Sequence, residues 1–151
     1  MLADLNYQLY IGASPREVWD ILILPDGVRK TTFGCEIRST FEIGSSIEYV
    51  GPGQDGAETV HIYGEVQAFE PEVRFSYTEH PGPSYRDNHA ELQTRVTIRL
   101  EPVGACTKLT LIQDQWEDHN PSYANAGEGW SVILSSVKTL AETGKTLDLG
   151  W

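Results

Sequence analysis

The spacing of apolar residues changes once along this chain, and that change limits the folds open to it. In the first strand-like stretch Leu5, Tyr7, Leu9 and Ile11 alternate with Asn6, Gln8 and Tyr10, the period of a half-buried strand. Alternation returns between Cys35 and Trp116, through Ile37, Ser39 and Phe41, then Ile47 and Tyr49, Val60 to Ala68, Phe75 and Tyr77, Val96 to Leu100, and Leu109, Leu111 and Gln113. Turn-forming stretches separate these runs: Gly44-Ser45-Ser46, the GPGQDG loop, Glu70-Pro71-Glu72 and EPVGAC. From Tyr123 the spacing becomes three and four, through Ala126, Trp130, Ile133, Leu134, Val137, Leu140 and Ala141. That is one apolar stripe on a helix of about six turns, opened by Asn120-Pro121 and stopped at Gly144. Strands joined by hairpin turns predict an antiparallel sheet. Their segregation from the long helix predicts an α+β fold, with that helix laid across one sheet face.

Between the first strand and the rest, Ser14-Pro15-Arg16-Glu17 reads as a helix start, with a capping serine, a proline at the first helical position and a glutamate to close the capping box. Val18, Trp19, Ile21 and Leu22 point inward, and Pro25-Asp26-Gly27 halts the helix. A second short helix or turn is expected from about Gly27 to Thr32, and a long polar loop from His80 to Glu91. At 151 residues the chain is expected to form a single domain over 1–151.

Composition excludes several classes of function. Acidic residues outnumber basic ones 22 to 11, for a net charge of −11, and no basic stripe exists for nucleic acid. No apolar run approaches the roughly 20 residues of a membrane span. The start lacks a basic region followed by an apolar stretch, so no secretory signal is read there. Cys35 and Cys106 are too few for a disulfide framework and read as reduced thiols of a cytoplasmic protein. The histidines His61, His80, His89 and His119 have no metal-ligand spacing, so neither a metal nor a cofactor is expected. There is no nucleophile elbow and no phosphate-binding glycine loop.

Four stretches carry a resemblance: IGASPREVWDILILPD at 11–26, GEVQAFEPEVRFSYTEH at 64–80, TRVTIRLEPVGACTKLTLIQDQW at 94–116 and GEGWSVILSSVKTLAETGK at 127–145. In order and spacing the chain resembles the activator of heat shock protein 90 ATPase homologue-like family of the START-like (SRPBCC) helix-grip superfamily. The resemblance implies a curved antiparallel sheet gripping the C-terminal helix, with two short helices after the first strand and a cavity between sheet and helix. It departs from the family pattern where Thr32 precedes Phe33, in place of a Trp-Phe pair, and at Gln113, where a histidine is frequent.

Strand parity turns Phe41, Tyr49, Phe75, Tyr77 and Gln113 toward the C-terminal helix, which offers Trp130 and Leu134, while Phe33 covers one end. These eight are the candidate ligand-binding residues. Aromatic walls with a few polar tips suit a small molecule; the same residues also suit an ordinary core. Gln113 is the sharpest polar candidate, because a buried amide must be hydrogen-bonded. Three functions follow. The first is binding of a small apolar or amphipathic molecule. The second is a polyketide cyclase/dehydratase-type enzyme, which needs an acid or base in the pocket from Tyr49, Tyr77 or an inward His61. The third is an interaction module acting on a chaperone ATPase, which needs an exposed apolar patch; Trp116 and Trp151, both near element ends, are the candidate contributors, and Trp151 could equally tuck back onto the domain. No catalytic residue is assigned, and a homodimer is permitted by the acidic, Tyr-rich edges.

Overall fold

The chain runs β1 (Leu5–Ile11), α1 (Pro15–Ile23), α2 (Pro25–Thr31), β2 (Glu36–Ser39), β3 (Ser46–Pro52), β4 (Glu58–Glu70), β5 (Arg74–Pro81), a 3-10 turn (His89–Glu91), β6 (Thr94–Val103), β7 (Cys106–Asp114) and α3 (Tyr123–Thr143). These elements belong to a computed structural model that describes residues 1–150. The strands form one antiparallel sheet of seven in the order β1-β7-β6-β5-β4-β3-β2, so β1 and β2 are its two edges. This is the helix-grip arrangement, an open curved sheet with the long helix on its concave face.

Local chemistry accounts for most element ends. The capping box at α1 is formed: Ser14 Oγ accepts from the Glu17 N–H, and the Glu17 carboxylate accepts from the Ser14 N–H. Helix α2 begins at Pro25, two residues before the expected start. Leu24 is extended (ψ 147°) and serves both helices as a cap. Proline at the first helical position loses no bond, so the residue that stops one helix opens the next. Strand β5 continues through His80 and Pro81, because His80 pairs with Tyr63 of β4 where a loop was expected. The cap of α3 is Ser122; Asn120 sits two residues earlier and accepts from the Ser122 N–H at 3.0 Å. The helix ends at Gly144, whose φ of 73° is the left-handed stop.

Phe41 departs from the alternation read for it. It lies beyond β2 with φ of 61° and packs on Phe69 and Phe75, at centroid distances of 4.8 and 6.0 Å. Trp116, a candidate for an exposed apolar patch, is only 1% exposed, and its indole N–H donates to the Gln113 carbonyl. Trp151, named beside it, lies outside the described residues.

Two features bend the sheet and hold the helix away from part of it. A Cβ at Gly64 would stand 1.7 Å from the Thr78 carbonyl oxygen, so only glycine permits this approach of β4 to β5. The register between those strands shifts again between Val66 and Ala68, and such irregularities kink and twist a strand. The second half of α3 then packs closely: Leu134 and Val137 join Val18, Trp19, Phe75, Val96, Leu109 and Leu111 in the core. In the first half Ala126 and Gly129 face the sheet beside Trp130, with side chains too short to fill the space between. No helix among the described residues is long and apolar enough to cross a membrane.

Candidate functional site

Where the small residues of α3 face the curved sheet, a cavity of about 530 Å³ remains. Its walls come from β3, β4, β5 and β6 on the sheet side and from α3 between Asn125 and Ile133. The segment joining α2 to β2 (Thr32, Phe33, Cys35) and the segment carrying Tyr85 and Arg86 complete the rim.

Of the eight candidate ligand-binding residues, Phe33, Tyr49, Tyr77 and Trp130 line this space. Gln113 lies immediately behind the wall, fully buried, and bonds to three residues that do line it, Glu79, Thr94 and Trp130. The other three lie elsewhere. Phe41 and Phe75 belong to an aromatic cluster with Trp19 and Phe69, and Leu134 is buried in the packed half of the helix interface. The alternation of β5 and the stripe of α3 each pass from cavity to packed core, and periodicity carries no information about where that boundary falls.

The amide of Gln113 makes three hydrogen bonds, using both N–H donors and one lone pair of its oxygen. Its Oε1 accepts from the Trp130 indole N–H at 2.7 Å, and its Nε2 reaches Thr94 Oγ1 at 2.9 Å and Glu79 Oε2 at 2.6 Å. The indole is a donor only, which fixes which end of the amide is oxygen. Strand register builds the group: Glu79 of β5 pairs directly with Thr94 of β6, and Gln113 of β7 is diagonal to Thr94 across the next ladder.

Glu79 is the residue that parity reading passed over, although it follows Phe75 and Tyr77 at the same two-residue spacing. With 22 acidic residues in the chain, no single one stood out. Its side chain is partly buried, with its accessible surface on the cavity side. Burial drives its pKa up to about 7, partly offset by the hydrogen bond from Gln113. It is the one carboxylate in the cavity wall among the described residues.

Burial likewise raises the hydroxyl pKa values of Tyr49 and Tyr77, whose rings lie 5.8 Å apart. It pushes the Cys35 thiol up to about 11, so that sulfur is a poor nucleophile at neutral pH. His61 also borders the cavity but is engaged at both nitrogens, with the Pro52 carbonyl and the Tyr85 hydroxyl at 3.0 and 2.8 Å. The carbonyl only accepts, so Nε2 carries the proton and Nδ1 accepts from Tyr85 in the neutral ring. The site thus offers an aromatic enclosure, one proton-exchanging carboxyl group and no free nucleophile.

Residues 12–142 match the family described as Activator of Hsp90 ATPase homolog 1-like protein. No curated protein matches the sequence. Among solved structures, the Aha1 dimer of Colwellia psychrerythraea is 22% identical over 95% of this chain and 99% of its own, with a TM-score of 0.72. DynU16, from the dynemicin biosynthetic locus, is 17% identical over 97% of this chain and 49% of its own, at a TM-score of 0.73. CalU16 of Micromonospora echinospora is 17% identical over 87% and 71%, at 0.66. At such identities the likeness is one of fold.

Proposed function

This chain belongs to the Activator of Hsp90 ATPase homolog 1-like family, and from that membership and the cavity we propose that it binds a small apolar or amphipathic molecule between the sheet and α3. The observation that carries the reading is an open space of about 530 Å³ walled by aromatic side chains. Small-molecule sites fall in the range of roughly 300–1,000 Å³ and combine apolar walls with few, well-placed polar groups. A core built only for packing leaves voids little larger than a water. The Gln113 network supports the same reading, because it holds one polar group rigidly at the wall of that space.

Native mass spectrometry of freshly purified protein, followed by denaturing extraction, tests this directly. A bound small molecule is the expected result. If the protein is free of adducts and no apolar probe binds up to its solubility limit, the reading fails.

One observation favours a second reading, acid–base catalysis on a bound carbonyl compound. Glu79, with a pKa of about 7, is poised to give or take a proton near neutrality. Such an enzyme exchanges hydrogens beside the carbonyl of a bound ketone with solvent. Deuterium incorporation that depends on Glu79 is its signature, and no incorporation above the uncatalysed rate refutes it. The chaperone-activating role in the family's description has no comparable support in the site, which is an internal cavity.

A further inference from the structure

We propose that the ligand is an amphipathic amine, held with its protonated nitrogen on Glu79 and its apolar body against the aromatic walls. The inference rests on the cavity reading above and deepens it by naming the chemical class. Three observations support it.

First, Glu79 is half used. Gln113 Nε2 donates to Oε2 at 2.6 Å, whereas among the described residues Oε1 accepts no hydrogen bond and no ammonium or guanidinium group pairs with the carboxylate. A buried carboxylate with one oxygen fixed and the other directed to an open cavity lacks a cation. Second, Phe33, Tyr49, Tyr77, Tyr85, Trp116 and Trp130 border the same space. Ring faces attract cations, so an aromatic enclosure around a carboxylate favours an organic ammonium over a neutral or anionic head group. Third, among the described residues the cavity wall carries no lysine, and its one arginine, Arg86, is exposed at the rim. An anionic ligand would meet Glu79 with nothing beside it to offset the repulsion. The titratable groups facing Glu79 across the cavity are Tyr49, Tyr77, Cys35, His61 and Tyr85, and none supplies a fixed positive charge at neutral pH.

Isothermal titration calorimetry with naphthylethylamine, naphthylethanol and naphthylacetate, three probes with one ring system and different head groups, separates the possibilities. At about pH 8, where Glu79 is ionised, the amine is expected to bind about tenfold more tightly than the alcohol, the usual margin of a charge-assisted over a neutral hydrogen bond. That margin shrinks several-fold at about pH 6, as Glu79 takes up its proton while the amine stays charged. In Glu79→Gln the amine and alcohol bind alike, and a preference for the amine that survives with its pH dependence in that variant overturns the assignment to Glu79. If amine and alcohol bind the wild type equally at about pH 8, or if the acetate binds best, the amine assignment is overturned while the cavity reading stands. If none of the three binds, both fall. The pH comparison uses the wild-type protein alone, so the inference stays testable if the variant does not fold.

Discussion

A carboxyl group held at a pKa of about 7 links folding to pH with a definite sign. In the unfolded chain Glu79 ionises near 4.5, and in the native protein near 7. Between those values the native state holds a proton that the unfolded state has released, so stability falls as pH rises through the window and levels off above it. Each tenfold change in proton affinity is worth about 1.4 kcal/mol, which makes ionised Glu79 a liability of about 3 kcal/mol above neutral pH. Glu79→Gln removes the charge and keeps an oxygen to accept from Gln113. Its stability advantage over the wild type is expected to grow by about 2–3 kcal/mol between about pH 5 and about pH 8, or roughly 5–10 °C in Tm for a domain of this size. Urea unfolding followed by tryptophan fluorescence at both pH values measures it. Comparing the two proteins matters, because Glu58, Asp118 and Glu142, held low by Arg38, the N-terminal amine and Lys138, carry the opposite dependence. Those groups are common to both chains and cancel in the difference. A difference that stays constant with pH, or shrinks on going to pH 8, refutes the assignment of a raised pKa to Glu79.

Three further outcomes are expected. Gly129→Leu places a side chain in the cavity, since a Cβ there meets no atom within 4 Å; binding of an apolar fluorescent probe is lost while stability rises by about 1 kcal/mol, the helix-interior cost of glycine. Gln113→Leu strands the Trp130 indole N–H and removes the bond that lowers the Glu79 pKa. It is expected to destabilise by about 2–4 kcal/mol and to move the Glu79 titration to higher pH, read from the same urea series. Cys35, with its thiol pushed up to about 11 and 2% exposed, resists Ellman's reagent at neutral pH until urea unfolds the chain; rapid reaction in the native protein contradicts that burial.

The parts of the fold that were legible in the sequence are those fixed by local chemistry. Leu5–Ile11 alternates because β1 is an edge strand with one face on the core, Ser14 and Glu17 start α1 with their own side chains, and Gly144 stops α3 by its backbone. The candidate site was legible only in part. Tyr49, Tyr77, Trp130 and Gln113 follow from parity, because a side chain's face is set by its position in the strand or helix. What parity omits is depth: Phe75 and Tyr77 share a face, yet one packs on Trp19 and the other lines the cavity. That difference comes from the bend at Gly64 and from the small side chains of α3, neither of which alters the period. Glu79 was legible by the same alternation and was lost to the abundance of acids. Phe41 was misplaced because a left-handed residue, rare for phenylalanine, ended the strand before it.

Three departures from what stability alone would select meet at one place. Glu79 is an uncompensated buried carboxylate, Gly129 interrupts a helix with the poorest helix former after proline, and Phe33 is left-handed (φ 49°) and 52% exposed. Together they cost several kcal/mol on the usual scales for burial, helix propensity and strained backbone, a large fraction of a domain's net stability. All three border the same cavity. Left-handed non-glycine residues also occur away from the cavity, at Phe41, Glu72 and Gln115, but at the cavity a carboxylate without a cation, a helix-interior glycine and a left-handed residue coincide. Such clustering is the pattern of a site that trades stability for binding. It implies that stability and binding move in opposite directions at these positions: Glu79→Gln and Gly129→Leu should each unfold at higher urea near pH 8 and each lose affinity for the naphthyl amine. A stabilised variant at either position that keeps full amine binding would break the link between the strain and the site.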